Sequence, residues 1–332
     1  MEEIALQILG TGEYVPFHQI DSESLDRAFN KTPGWTFDQT GVRQRAHARS
    51  EENVVLMGAA AARQALENAG MPGEALDLIV SVASVPAQAI PCTAALLQRE
   101  LGLAECGIAA FDLNASCLGF LVALDLVAQG IAMQRYRAVL IVASERVSIG
   151  LKQSDPLTAG LFGDGAGAVV IGPSRTGQSA LLSSLFQTFS AGAEYCRVRA
   201  GGSLINPHTQ PDAYLEGSFF EMDGRRLYRL VADKMPDFLR ELFQRAGLRM
   251  EDINVWVPHQ ASGHALKHIR AVLGVPAERC VSTLETHGNQ VAASVPVALH
   301  RGIQNGQIVP GYTVALVGTG AGLSFGGTVL RF

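Results

Sequence analysis

Three polar residues set among small neighbours are the ones in this sequence able to do covalent chemistry together. Cys117, in "FDLNASCLGFLVALDLVAQGI", stands where a strand-like stretch gives way to a helix that is apolar on nearly every side. A thiol in the first turn of a buried helix sees the positive end of aligned peptide dipoles and several free backbone N–H groups, which favour thiolate over thiol. Ala115, Ser116 and Gly119 let a substrate come close. A plain packing cysteine fits the same place, because free cysteine is among the residue types most often buried. His259 follows the apolar run "INVWVP", and a polar side chain at the C-terminal end of a strand faces the crevice where α/β folds bind ligands. A structural histidine with satisfied hydrogen bonds is the alternative. Asn289, in "HGNQVAASVPVAL", offers amide N–H groups from a tight turn, or is an ordinary turn asparagine. "VGTGAGLSFGG", with Gly318, Gly320 and Gly322, supplies a backbone able to aim N–H groups at an oxyanion. Taken alone, such a turn serves strand crossing, and Gly163, Gly165 and Gly167 in "GDGAGAVVI" read as close-packing glycines.

The elements that would bring these residues together show an internal echo. "AAAARQALENAGMPGEALDLIVSVA" at 59–83 and "PDFLRELFQRAGLRMEDINVWVPH" at 236–259 both carry a helix, a stop glycine (Gly70, Gly247), an acidic turn and an apolar strand. Downstream, "AVLIVASERV" and "GDGAGAVVI" in the first copy answer "YTVALVGTG" and "LSFGGTVLRF" in the second. Each half reads as β, α, β, α, β, β, with continuously apolar strands suited to a sheet covered on both faces. The expectation is a duplicated α/β layered fold of two halves, 1–174 and 175–332, whose equivalent strand ends meet at Cys117, His259 and Asn289. Two less periodic segments, 11–55 and 186–223, read as excursions lining an entrance.

Composition narrows the function. With 332 residues, 48% hydrophobic and 17% charged, the chain can bury a large core. A net charge of −5 gives no general attraction for nucleic acid. Five cysteines without C-x-x-C spacing point to reduced thiols rather than disulfides or a zinc site. The acidic start "MEEIALQILGTG" lacks the pattern of a signal peptide, and no apolar stretch reaches membrane-spanning length, so a soluble cytoplasmic protein is expected. "LGTGEYVP" begins like a dinucleotide fingerprint, but Pro16 and the missing third glycine exclude a nicotinamide or flavin site.

Taken with "GWTFDQTGVRQR", "FGDGAGAVVI" and "VPHQAS", in that order along nearly the whole chain, these segments resemble the β-ketoacyl-acyl-carrier-protein synthase III family of the thiolase-like superfamily. The resemblance implies a thiolase-like layered α-β-α-β-α fold of two βαβαβαββ halves, a homodimer, and a ping-pong reaction. An acyl thioester acylates Cys117; a malonyl-acyl-carrier-protein thioester then loses carbon dioxide, and its carbanion attacks the acyl-enzyme. Backbone N–H groups of Cys117 and Ala321 would hold the oxyanion, and His259 and Asn289 the enolate. An aspartate in place of Asn289 would offer only acceptors when ionised, so asparagine favours condensation. Neither metal nor redox cofactor is implied, and the substrates are acyl-coenzyme A or acyl-carrier-protein thioesters.

Several positions depart from the family pattern. The adenine of coenzyme A is expected between the tryptophan that Trp35 matches and an arginine, where Gln39 stands instead, and Pro156 replaces a second arginine. After "HQA", Ser262 and His264 replace an asparagine and an arginine. Loss of guanidiniums removes stacking and phosphate pairing, which puts a carrier protein or an unusual acyl-coenzyme A forward as donor. Ile90 matches the residue that caps the partner's acyl pocket and is smaller than an aromatic, which leaves room for a chain longer than acetyl. Arg225 and Arg229, one helical turn apart, would meet an acidic carrier protein, or form a solvated helix face. An acyltransferase acting on an oxygen, nitrogen or sulfur nucleophile is the rival activity, and a non-catalytic acyl-binding subunit the rival class.

Overall fold

The structure, a computed structural model, describes residues 3–152 and 154–332; Met1 and Glu2 of the acidic start, and Gln153, lie outside the described residues. The first half holds β1 (Leu6–Tyr14), β2 (Gln19–Asp21), β3 (Gln44–Ala46), β4 (Leu78–Ser81), β5 (Ala109–Asp112), β6 (Val139–Glu145) and β7 (Gly165–Pro173). The second holds β8 (Ala180–Thr188), β9 (Cys196–Arg197), β10 (Glu221–Met222), β11 (Val255–Pro258), β12 (Thr313–Gly320) and β13 (Ser324–Arg331). Two mixed sheets result, ordered β1-β7-β6-β4-β5 and β11-β12-β13-β8.

The apolar helices Gly119–Ala132 and Ser294–Gln304 lie between the sheets. The first packs on β6 and β13, the second on β1, β7 and β11, and one continuous core joins Val80, Leu121 and Val169 to Val257, Val297 and Leu316. Outside, the Val54–Ala69 helix covers the first sheet and Gly224–Ala246 the second. This is the expected α-β-α-β-α layering: burial of both sheet faces explains strands apolar on every residue, and burial of the central helices explains why they lack a polar face. The outer helices end in left-handed glycines, Gly70 at φ 62° and Gly247 at φ 66°, as helix C-caps require.

Two expectations change. "LGTGEY" is not the start of an excursion: it belongs to β1, where a β-carbon on Gly10 or Gly12 would fall 2.2 Å from the carbonyl oxygens of Ala65 and Ala61. Those glycines let the Val54–Ala69 helix lie directly on the strand. In the second half, the counterpart of β5 shrinks to a single bridge between Trp256 and Cys280. The Gln260 side chain explains this, since its Oε1 accepts the N–H groups of Thr283 and Leu284, both at 3.0 Å, and so takes donors a longer ladder would use.

Candidate active site

The duplication extends to single hydrogen bonds around the site. After β5, Asn114 accepts the Ser116 N–H at 2.9 Å through Oδ1 and donates through Nδ2 to the Ser84 carbonyl at 3.1 Å. Asn289 does the same with the Val291 N–H at 2.9 Å and the Ala261 carbonyl at 3.2 Å. Ser116 and Val291 both take positive φ, 50° and 51°, and each opens a single 3₁₀ turn, Ser116–Leu118 or Val291–Ala293, that leads into a central helix. Equal spacing makes Ala292 the counterpart of Cys117. The two turns lie against each other.

β12 brings His259 to the same place. A β-carbon on Gly318 would sit 2.8 Å from the His259 Cβ and 3.4 Å from Leu118; one on Gly320, two residues on and so on the same face, would sit 3.2 Å from Leu118 and 3.6 Å from the Cys117 nitrogen. Only a strand without side chains there admits both the cysteine turn and the histidine. The His259 N–H donates to the Val317 carbonyl at 2.8 Å, which fixes its backbone at the end of β11. Asn289 reaches over to Ala261, two residues past His259, and the apolar cluster that includes Val291 packs against Cys117. The structure thus brings Cys117, His259 and Asn289 together.

Their electrostatics follow from burial. His259 is 6% exposed, with Nδ1 unpartnered, and burial lowers its pKa to about 4, so the ring is neutral at physiological pH. Asn289, equally buried, spends one amide hydrogen on Ala261, so a second N–H remains to meet a ligand. Cys117 departs from expectation. It sits in the 3₁₀ turn ahead of the helix, and burial pushes its thiol up, with the nearby Cys196 and Glu145 acting in the same direction; the N–H groups of Cys117 and Ala321 point at the sulfur and act the other way. Desolvation outweighs the peptide dipoles. The resting group is a thiol, with backbone donors nearby that offset part of the cost of a negative charge.

Two neighbours of Cys117 had escaped the sequence reading. In the β9–β10 ladder, Arg197 faces Glu221 and pairs with it at 3.1 Å, while Cys196 stands opposite Met222 on the other face. Phe220, just before β10, stacks edge-on against Phe162 at 5.0 Å between ring centroids, in the apolar cluster that also packs on Cys117, and Cys196 lies close enough to the nucleophile to act on its thiol. Glu145, 1% exposed, closes β6. The available signal was a polar residue ending the apolar run "VLIVASE", the same signal that picked out His259.

The peripheral residues divide. Trp35 opens the Trp35–Thr40 helix with the Lys31 ammonium 4.9 Å from its ring centroid, and Gln39 is exposed. Pro156 is the first residue of the Pro156–Leu161 helix, packed on the helix of Trp35. Ser262 uses its hydroxyl to cap the Gly263–Leu273 helix, accepting the Ala265 N–H at 3.2 Å. Arg225 and Arg229 are exposed near the start of the Gly224–Ala246 helix, whose Tyr228 bonds His268 of the Gly263–Leu273 helix at 3.0 Å. Ile90, 85% exposed, stands outside the cluster around Cys117. Among the described residues, no helix is long and apolar enough to cross a membrane.

Comparison with known proteins agrees with this architecture. Residues 243–332 match the family described as 3-oxoacyl-[acyl-carrier-protein] synthase III C terminal, and residues 111–190 match 3-oxoacyl-[acyl-carrier-protein] synthase III. The chain is 36% identical over 326 residues to acetoacetyl CoA synthase NphT7 of Streptomyces sp. (strain CL190), covering 98% of each. It is 32% identical over 327 residues to β-ketoacyl-[acyl-carrier-protein] synthase III of Aquifex aeolicus (strain VF5), covering 98% of this chain and 99% of that one. Among solved structures, the Aquifex aeolicus VF5 synthase III superposes with a TM-score of 0.89 at 30% identity, covering 98% of this chain and all of that one. The priming β-ketosynthase of the R1128 polyketide pathway gives 0.90 at 32% identity, covering 99% and 96%.

Proposed function

Because this chain belongs to the 3-oxoacyl-[acyl-carrier-protein] synthase III family of condensing enzymes, we propose that Cys117, His259 and Asn289 carry its decarboxylative Claisen condensation. Cys117 attacks the carbonyl of an acyl thioester, its proton leaves with the departing thiol, and the acyl group stays on sulfur. The N–H groups of Cys117 and Ala321 hold the oxyanion. A malonyl-acyl-carrier-protein thioester then binds with its thioester oxygen between His259 and Asn289. Nδ1 of His259 is sealed off, which leaves Nε2–H to donate, beside the free Asn289 N–H. Loss of carbon dioxide puts its electron pair into the enolate these donors hold. The enolate carbon attacks the acyl carbonyl, a carbon–carbon bond forms, and Cys117 leaves as thiolate.

The observation that carries this reading is the meeting of the Cys117 turn, the Asn289 turn and a neutral His259 around the side-chain-free positions Gly318 and Gly320 of β12. Asn289 donates where an ionised aspartate could only accept, which favours an enolate at this place over transfer to an alcohol. The test is intact-mass measurement after incubation with acyl-coenzyme A and acyl-carrier-protein thioesters from acetyl to decanoyl. An acyl-sized gain on Cys117, followed by its loss with a 3-oxoacyl product when malonyl thioester is added, supports the reading; an adduct that passes only to water or another nucleophile sinks it.

Lys31 over Trp35 and the exposed Gln39 leave no arginine to clamp an adenine, so a carrier protein docked on Arg225 and Arg229 is the favoured acyl carrier. Charge reversal of both arginines is expected to raise KM for carrier-protein substrates about tenfold, with little change for the matching coenzyme A thioester. Steady-state kinetics on the two substrate forms check this.

A homodimer completes the site. β5 is an edge strand with Phe111 46% exposed, beside a segment exposing Val85 at 55% and Ile90 at 85%. Edge strands of this apolar kind are normally covered, and antiparallel pairing with the β5 of a second copy would cover this one and carry Ile90 to the partner's acyl pocket. Phe111→Asp is expected to yield a monomer by sedimentation, with activity lost.

A further inference from the structure

Glu145 is a buried acid to which the condensation, as described, assigns no task. Its Oε1 accepts the N–H of Ser84 at 2.7 Å and of Ala292 at 3.3 Å, and burial rather than a charge partner dominates its environment. Ala292 is the counterpart of Cys117. Where the first-half turn carries the thiol, the second-half turn points its Ala292 N–H at this carboxyl, so Glu145 stands at the duplicate of the active site.

We propose that Glu145 is a positioning residue: by gathering the N–H groups of Ala292 and Ser84 it fixes the turn that presents Asn289 beside Cys117. The proposal rests on the role given to Asn289 above. Ala292 lies in the 3₁₀ turn that packs on the turn of Cys117, and Val291, between it and Asn289, is a β-branched residue at φ 51°. Such a conformation persists only where the surroundings over-determine it. The bond from Ala292 to Glu145 pins the peptide one step beyond Val291, as the bond from Val291 to Asn289 pins the one before. Ser84 is the root of the exposed segment that carries Ile90, and its carbonyl also holds Asn114, so one carboxyl ties together both asparagine turns.

The protonation state matters because Cys117 feels this charge. The other charged groups close to it are Asp164, which adds negative potential, and Arg146, its neighbour in the chain. Burial raises the Glu145 pKa to about 7. Below that pH the site holds a neutral acid; above it, a carboxylate that makes the Cys117 thiol harder to ionise. Glutamine keeps the acceptor oxygen and removes the charge; alanine removes both.

Two readouts on the full-length protein test this: kcat and KM for condensation, and the rate of Cys117 alkylation by iodoacetamide from about pH 6 to 10. Glu145→Ala is expected to lower kcat about 10- to 100-fold, the scale of a small misplacement of reacting groups, with KM for the malonyl thioester within about threefold. Glu145→Gln is expected to keep kcat near neutrality within about threefold and to move the alkylation profile to lower pH. A wild-type protein that condenses nothing would overturn the reading beneath the proposal. If the wild type condenses, full kcat in Glu145→Ala, or a loss of kcat in Glu145→Gln as large as that in Glu145→Ala, overturns the proposal alone. Should the alanine variant not fold, the glutamine variant decides: kcat within about threefold supports the proposal and an about 10- to 100-fold loss overturns it.

Discussion

Cys117→Ala is expected to form no acyl adduct and to lose condensation by at least about 10³-fold, since the covalent intermediate that divides the reaction into two easier steps is gone. The fold should be unaffected: the side chain is only partly buried, its turn is set by Ser116 and Asn114, and alanine already occupies the equivalent position 292. Slow release of carbon dioxide from malonyl thioester should survive, because His259 and Asn289 hold the enolate without help from the thiol. Intact mass and carbon dioxide trapping on the same sample separate the two functions. A variant that lost both would mean that the residues do not divide the labour as described.

Asn289→Asp is the second large effect. The replacement keeps an oxygen for the Val291 N–H but loses the donor to the Ala261 carbonyl, and when ionised it sets a negative charge where the enolate develops. Loss of one such donor costs about 10²- to 10³-fold. Acylation of Cys117 should persist, so the variant should accumulate acyl-enzyme when given both substrates. Recovery is expected as pH falls and the aspartate becomes a donor. His259 behaves differently: its pKa is lowered to about 4, so condensation by the wild type should show no acid limb from this ring between about pH 5.5 and 8. The sign for stability follows. Between pH 4 and the ordinary histidine value near 6.5 the unfolded chain binds the proton and the folded one does not, so the stability owed to a neutral His259 is lost as pH falls through that window.

The sequence carried the architecture well because its signals are local and repeated. Stop glycines at 70 and 247 and apolar strands of matching length do not depend on distant contacts. What stayed hidden depends on competition between distant parts. The thiolate expected of Cys117 came from its helix, but the opposing desolvation comes from the apolar cluster of Phe162, Leu266, Val291 and their neighbours that packs on it only in the folded chain. Glu145 reads as one more polar residue after a strand until Ala292 and Ser84 are seen to converge on it. Ser262 reads as part of a binding motif until its hydroxyl is found on the helix cap. The truncated second-half strand needed the Gln260 side chain to be seen competing for backbone donors.

The measurement that tests the central claim most directly is the stoichiometry of a single turnover. Wild-type protein pre-loaded with an acyl group on Cys117 is mixed with malonyl-acyl-carrier protein labelled in its free carboxyl, and released carbon dioxide, remaining acyl-enzyme and 3-oxoacyl product are followed together. Condensation predicts one carbon dioxide and one 3-oxoacyl thioester for each acyl group that leaves Cys117. Departure of the acyl group without carbon dioxide release, or onto an acceptor that is not the decarboxylated malonyl carbon, would contradict it.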